Sequence, residues 1–371
     1  MNANLGDLNL KRWCFCEIRV KFGKMHQKMT LAGVFIAQEA MKYIAPNWLP
    51  GGNLQTIWPA MVSARALAQP TTLPYQRERW TTPDDDFIDV DYSQAHAPKP
   101  KQPLLVLFHG LEGSSSSHYA LAFGKVAQQR GWAYAVPHFR GCSGEINRAP
   151  RAYHSGDYEE ISWMLSKLKA AHVLAGGGAL LAVGISLGGN ALMRWAQEAG
   201  STAAQTVEAV ASVCSPLDLA ASGVAIGQGF NRLVYTRMFL NSMKPKALAR
   251  LALNPGLFDA KALQASRDLY EFDNIFTAPV HGFKNTEDYW LRASAKPHMH
   301  RIALPALALN AVNDPFIPAW SLPKPSEVSK SVTLWHTAQG GHVGFPNGKF
   351  PAQVMAMPEA VSGWLASHLP T

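Results

Sequence analysis

The sequence predicts an α/β protein: a mostly parallel central sheet with helices on both faces and a helical insert. Three observations predict it. Short apolar runs recur at 104–108, 132–136, 180–185, 209–213, 304–309 and 332–335. They are apolar throughout instead of alternating, the pattern of strands covered on both faces. Longer segments of helical character separate them, as crossovers between parallel strands require. That rhythm breaks between Pro216 and Arg301, where about 85 residues of helical, aromatic-rich sequence stand between two strands.

Residues 1–40 read as an N-terminal extension, a loose arm or an over-extended start, ahead of a domain over 41–371. The extension lacks an apolar stretch followed by a small-residue cleavage site, which argues against a secretory signal. Pro46 to Pro59 is rich in turn formers and holds two tryptophans that need burial, so it reads as an ordered loop. Arg77–Trp80 and Phe87–Tyr92 form an expected hairpin about the polar turn Thr82–Asp86, with 88–92 alternating as a half-exposed strand should. The strand at Leu104–Phe108 leads into His109-Gly-Leu-Glu-Gly113, then a helix over 119–130 and a strand over 132–136. A helix over 158–171 precedes the strand Leu180–Ile185. Strands follow at 209–213, 304–309 and 332–335, and a helix over 352–369 closes the chain.

Chemistry gathers at Gly184-Ile-Ser186-Leu-Gly188. It stands between a strand and a helix, where a tight turn lifts a serine hydroxyl clear of the sheet and points a helix N-terminus at developing negative charge. Residues two before and two after the serine crowd the bend and must lack bulk, hence the glycines. This turn resembles the nucleophile elbow of the α/β hydrolases, in which an acid and a histidine follow the serine in that order. The resemblance implies Asp314, in the loop after the strand 304–309, as acid, and His342, between Gly341 and Gly344 after the last strand, as base. Glycines around His342 would let its loop swing the imidazole toward Ser186. Asp218 and Asp273 compete as acids, although Asp218 also suits a helix cap after Pro216. A pair of amides must receive the negative charge on the substrate oxygen. Leu187 follows the nucleophile, and Leu111 lies in the loop after the strand 104–108. His109 reads as a structural anchor of that loop. The insert at about 216–301 reads as a cap over the catalytic face, its aromatics mostly its own core.

Four stretches, the serine turn among them, resemble the YheT-like branch of the superfamily, the AB hydrolase 4 family. They are Leu49-Pro-Gly-Gly-Asn-Leu-Gln-Thr56; Arg140-Gly-Cys-Ser-Gly144 with Tyr153-His-Ser-Gly-Asp157; Gly184-Ile-Ser-Leu-Gly-Gly-Asn190; and Tyr270-Glu-Phe-Asp273 with Thr277-Ala-Pro and His281-Gly-Phe283. The likeness spans about 45–370. Position 53, more often histidine in that branch, is Asn53 here. The resemblance implies a serine carboxylesterase without a cofactor, acting on short-chain esters or monoacylglycerol-like lipids through an acyl-enzyme. An acyltransferase or thioesterase would use the same triad. A non-catalytic binding protein would be expected to have lost one of its members, and none is missing.

Composition excludes other classes. Net charge is +8, but half of it falls in residues 1–45, so the basic balance is no sign of nucleic-acid binding. No apolar run approaches the roughly 18 residues of a membrane span, so no stable membrane insertion is expected. Four cysteines give no disulfide framework, and a reducing, cytoplasmic setting is expected. Cys14-x-Cys16 has no second pair to complete a zinc site, and His298-Met-His300 has the wrong spacing for ligands on one helix face. Gly176-Gly-Gly178 precedes a strand instead of following one, so it is no phosphate loop. The expected partner is a small-molecule ester; no pattern addresses oligomeric state.

Overall fold

The computed structural model describes residues 41–63, 74–93 and 99–370. The extension expected over 1–40 and the Cys14-x-Cys16 pair lie outside them. Eight strands form one sheet: β1 (Gln76–Thr81), β2 (Phe87–Tyr92), β3 (Leu104–Phe108), β4 (Ala133–Pro137), β5 (Leu180–Ile185), β6 (Ala209–Val213), β7 (Ala306–Ala311) and β8 (Val332–Thr337). Their spatial order is β1-β2-β4-β3-β5-β6-β7-β8. β1 and β2 pair antiparallel, as do β2 and β4; every other pair is parallel.

The apolar runs are apolar because both faces are covered. Val106 and Phe108 of β3 join one core with Ile161 and Leu165 of a helix over Tyr158–Leu174 and with Leu192 of a helix over Leu187–Ala199. Leu105 and Leu107 face the opposite core, with Phe123 of a helix over His118–Gln129 and Trp364 of the last helix, Ala356–Ala366. Successive side chains of a strand point to opposite faces, so each face needs its own helical layer.

Four expectations shift. The loop expected over 46–59 contains a helix, Gly51–Trp58, and Trp48 is 36% exposed instead of buried. The strand expected at 304–309 runs from Ala306 to Ala311. Pro305 has no N–H to give to a ladder, so the chain joins the sheet only after it. The last helix begins at Ala356, because Asn347 and Gln353 form an antiparallel bridge just before it. And β2 is buried on both sides instead of half exposed. Asp89 and Asp91 are 2% and 3% exposed. Arg79 and Arg77 of β1 each grip one of these carboxylates through two nitrogens, and the Ser115 hydroxyl also donates to Asp91. Strand alternation marks the charged face correctly, but paired arginines close it off from water.

Between β6 and β7 every described element is helical. Leu240, Ala247, Leu263, Phe272 and Phe276 form a core within this insert, and Leu219, Ala278, Tyr289, Trp290 and Ala293 form another.

Candidate active site

β5 ends at Ile185 and the helix begins at Leu187, so Ser186 alone makes the turn. Its backbone sits at φ 51°, ψ −118°, a region that costs an L-residue energy. The glycines answer to space. A Cβ on Gly188 would lie 2.5 Å from the carbonyl oxygens of Phe108 and His109, and one on Gly184 would lie 2.5 Å from the Gly188 oxygen.

Three predicted residues meet. His342 Nε2 lies 3.0 Å from Ser186 Oγ, and His342 Nδ1 lies 2.8 Å from Asp314 Oδ2. Asp314 Oδ1 accepts the Phe316 N–H at 2.8 Å, which fixes the carboxylate plane. The Phe316 ring packs on the imidazole with centroids 4.2 Å apart. With Asp314 accepting at Nδ1, the neutral ring carries its proton there and leaves Nε2 as an acceptor for the serine. The rival acids are engaged elsewhere. Asp218 caps the helix Leu219–Ile226 by accepting the Ala221 N–H. Asp273 accepts the Thr277 hydroxyl and the Trp290 indole N–H. Burial pushes its carboxyl up to about 6, against the pull of those two bonds.

The histidine loop is held in a fixed place. The Thr56 hydroxyl accepts the His342 N–H at 2.8 Å and donates to Gly52 O at 2.7 Å. Gln55 Oε1 accepts Gly340 N–H and Asn313 Nδ2–H, both at 2.9 Å, and Asn313 Oδ1 accepts Gly341 N–H. The early motif 49–56 thus bolts the loop of His342 to the loop of Asp314. The glycines expected to let the loop swing serve instead to let it pack: at Gly341 φ is +62°, and a Cβ would lie 2.7 Å from Gly52 O. Sequence reading missed Gln55, Thr56 and Asn313 as parts of the site. Their one signal was a polar cluster in a segment otherwise suited to burial. Asn53 accepts the Tyr235 hydroxyl, a contact with the insert.

The loop after β3 lies against the serine: a Cβ on Gly110 would be 3.2 Å from Ser186 Cβ. His109 anchors that loop. Its Nε2 accepts the Phe139 N–H and its Nδ1–H donates to Gly110 O. Burial drives its pKa down to about 3, so it stays neutral. Glu112 ties the loop to the insert through Lys246 Nζ at 2.8 Å and the Ser242 hydroxyl, and to Tyr153, whose hydroxyl donates to its carboxylate at 2.9 Å. Leu111 and Leu187 both border the cavity that holds Ser186 and His342. Among the described residues, neither amide N–H has a protein acceptor.

The remaining family-like stretches brace this site. Arg140 is buried against Asp84, Asp86 and Glu160. Asp157 caps the helix Tyr158–Leu174. Asn190, one turn past the serine, donates to Ser155 O and Ala293 O and so joins the 153–157 loop to the insert.

Two cavities meet at Ser186. An inner one of about 120 Å³ is walled by Leu219, Ile226, Met243 and Trp290. An outer one of about 530 Å³ reaches Met61, Val234, Tyr235 and Met238; Phe239 and Phe316 border both. Among the described residues no three His, Cys, Asp or Glu side chains cluster as metal ligands would.

This sheet order, with a serine at the β5 turn, is consistent with an α/β hydrolase fold. A family model described as the alpha/beta hydrolase fold matches residues 103–349, and the chain belongs to that family. It is 39% identical over 319 residues to YheT of Escherichia coli (strain K12), whose name assigns it provisionally to the esterases; the match covers 85% of this chain and 91% of YheT. It is 26% identical over 317 residues to the human phospholipase ABHD3, covering 84% of this chain and 75% of that protein. A provisionally named hydrolase from Agrobacterium vitis S4 shares the fold with a TM-score of 0.51 at 17% identity, over 79% of this chain and 99% of that one. The chain is an α/β hydrolase of the esterase and lipase type. No helix of the described residues is long and apolar enough to cross a membrane.

Proposed function

We propose that the chain hydrolyses short-chain carboxylic esters or monoacylglycerol-like lipids, with Ser186, His342 and Asp314 as catalytic triad. The observation that carries this reading is the hydrogen-bonded chain from Ser186 Oγ through His342 to Asp314. Ser186 Oγ attacks the ester carbonyl carbon while His342 Nε2 takes its proton. Asp314 holds the imidazole in the required tautomer and stabilises the imidazolium as it forms. The Leu111 and Leu187 amides receive the oxyanion; losing one such donor costs on the order of 3–4 kcal/mol. The protonated His342 returns its proton to the departing alkoxide. Water then repeats the sequence on the acyl-enzyme, releasing the acid and restoring Ser186. The insert acts as a cap whose apolar wall favours an acyl chain over water in the inner cavity. A yeast relative, 28% identical, is named a monoacylglycerol lipase, in keeping with this substrate class. The two described cysteines, Cys142 and Cys214, are unpaired thiols, in keeping with a reducing, cytoplasmic setting.

A fluorophosphonate probe should label the chain at Ser186, and Ser186→Ala should lose both labelling and hydrolysis of p-nitrophenyl butyrate. Folded protein that neither labels nor hydrolyses, or a Ser186→Ala variant that keeps its rate, overturns the reading.

A further inference from the structure

We propose that the insert helix beginning at Gly229 docks the protein on an anionic lipid surface, with the mouth of the outer cavity facing the lipid. The inference rests on the ester-hydrolase reading only for its purpose; the surface itself is separate from the triad. Helical residues run without a break from Gly229 through Leu253. Phe230, Leu233, Val234 and Met238 are exposed while Tyr235, Thr236 and Leu240 are buried, so the four lie on the outer side of this segment, whose Arg232–Thr236 turn is π-helical. The four are 51%, 73%, 37% and 55% exposed. Met61, 65% exposed, joins Val234 and Met238 at the wall of the outer cavity. One edge of the apolar patch, Met61, Val234 and Met238, is therefore the rim of the cleft that leads to Ser186, and Phe230 and Leu233 extend it away from the cleft. Contiguous exposed apolar surface of this kind marks a docking site.

Charge selects the occupant. Residues 227–258 hold five Lys or Arg and neither Asp nor Glu. Three of the five are occupied within the protein: Lys244 by the Gln264 and Ser266 carbonyls, Lys246 by Glu112 and Arg250 by the Ala149 and Arg151 carbonyls. Arg232 and Arg237 are exposed and, among the described residues, have no carboxylate at ion-pair distance. Glu271, whose charge Arg232 feels, is already paired with Arg267. Large apolar side chains beside unpaired arginines match the boundary between acyl chains and anionic headgroups. A second copy bound face to face through this patch would set equivalent arginines against each other. It would also close the cavity mouth, whereas a lipid surface would supply ester substrate to it.

The test uses the full chain carrying Ser186→Ala, so that docking is read with chemistry switched off. Co-sedimentation with vesicles of phosphatidylcholine containing roughly a third phosphatidylglycerol should capture it, and pure phosphatidylcholine vesicles should capture much less. Phe230→Ser/Leu233→Ser and Arg232→Glu/Arg237→Glu, none of which borders either cavity, should each lower capture about fivefold or more. The same pairs in the Ser186 background should hydrolyse p-nitrophenyl acetate at an unchanged rate. No capture, equal capture by neutral vesicles, or undiminished capture of both variants overturns the proposal. So does self-association that Phe230→Ser/Leu233→Ser abolishes without any vesicle binding. Vesicle capture that follows these predictions in a protein whose Ser186 resists fluorophosphonate would leave the docking surface standing and remove the hydrolase reading.

Discussion

The hydroxyl of Thr56 accepts the backbone N–H of His342 at 2.8 Å, joining residues 286 apart in sequence. Through that bond a short helix near the start of the described chain, Gly51–Trp58, sets the height of the imidazole over Ser186. Thr56→Val keeps the shape and removes the acceptor, leaving a largely buried N–H unpaired. The expected cost is about 1–3 kcal/mol of stability. Because a small misplacement of a reacting group is expensive, kcat should fall about tenfold with KM little changed. Urea unfolding and steady-state kinetics with p-nitrophenyl butyrate measure the two effects. A stability loss at unchanged kcat would mean that Thr56 supports the fold and not the base.

Asp314→Asn tests the acid. Asparagine preserves volume and can still accept the Phe316 N–H, but it can present an N–H to His342 Nδ1. That arrangement favours the tautomer with its proton on Nε2, which cannot accept from serine. The expected loss in kcat is on the order of 10⁴-fold. Asp218→Asn keeps an oxygen for the Ala221 N–H, and asparagine caps helices about as well as aspartate, so both stability and kcat should be nearly preserved. Comparing the two variants at equal folded fraction identifies the acid, and the reverse ranking would reassign it.

Most of the sheet is legible because parallel strands under two helical layers must be apolar throughout, so β3, β5 and β6 show as plain runs. Ser186 is legible because its turn demands glycines at fixed offsets. Asp314 and His342 are legible from strand ends and chain order. What stays hidden depends on contacts between distant segments. Residues 49–56 read as a turn-rich loop, and nothing local says that Gln55 and Thr56 reach Asn313 and the 340–342 loop. Asp89 and Asp91 alternate like a wet face, and only the arginines of β1 make it dry. The insert resists reading for a related reason. Its helices feed separate small cores, so no single apolar stripe predicts their packing.

Gly188→Ala should damage the fold before it damages chemistry. The added methyl would meet two backbone oxygens of the β3 end at 2.5 Å, and backbone within a sheet has little room to yield. Overpacking of this kind costs typically about 1–3 kcal/mol, and more where the neighbours are fixed. Thermal unfolding should show a clear drop in Tm, together with weaker fluorophosphonate labelling as the elbow opens. An unchanged Tm with full labelling would mean that the elbow is looser than its contacts imply.

Asp273 gives the protein a pH dependence with a definite sign. Its carboxyl borders both the inner cavity and a neighbouring one near Arg250, and burial pushes it up to about 6. In the unfolded chain the same group titrates near 3.9. Between those values the folded state binds more protons than the unfolded state, so this residue's contribution to stability declines as pH rises through that window and levels off above about 6. The decline is on the order of 2–3 kcal/mol at most, since each tenfold difference in proton affinity between the two states is worth about 1.4 kcal/mol. Asp273→Asn cannot ionise, so its stability relative to the wild type should improve from pH 4 to pH 7 by about that amount. Urea midpoints of the two proteins, measured in parallel across the range, give the difference directly. A constant gap between them would show that Asp273 is ionised throughout, with the Thr277 and Trp290 hydrogen bonds outweighing its burial.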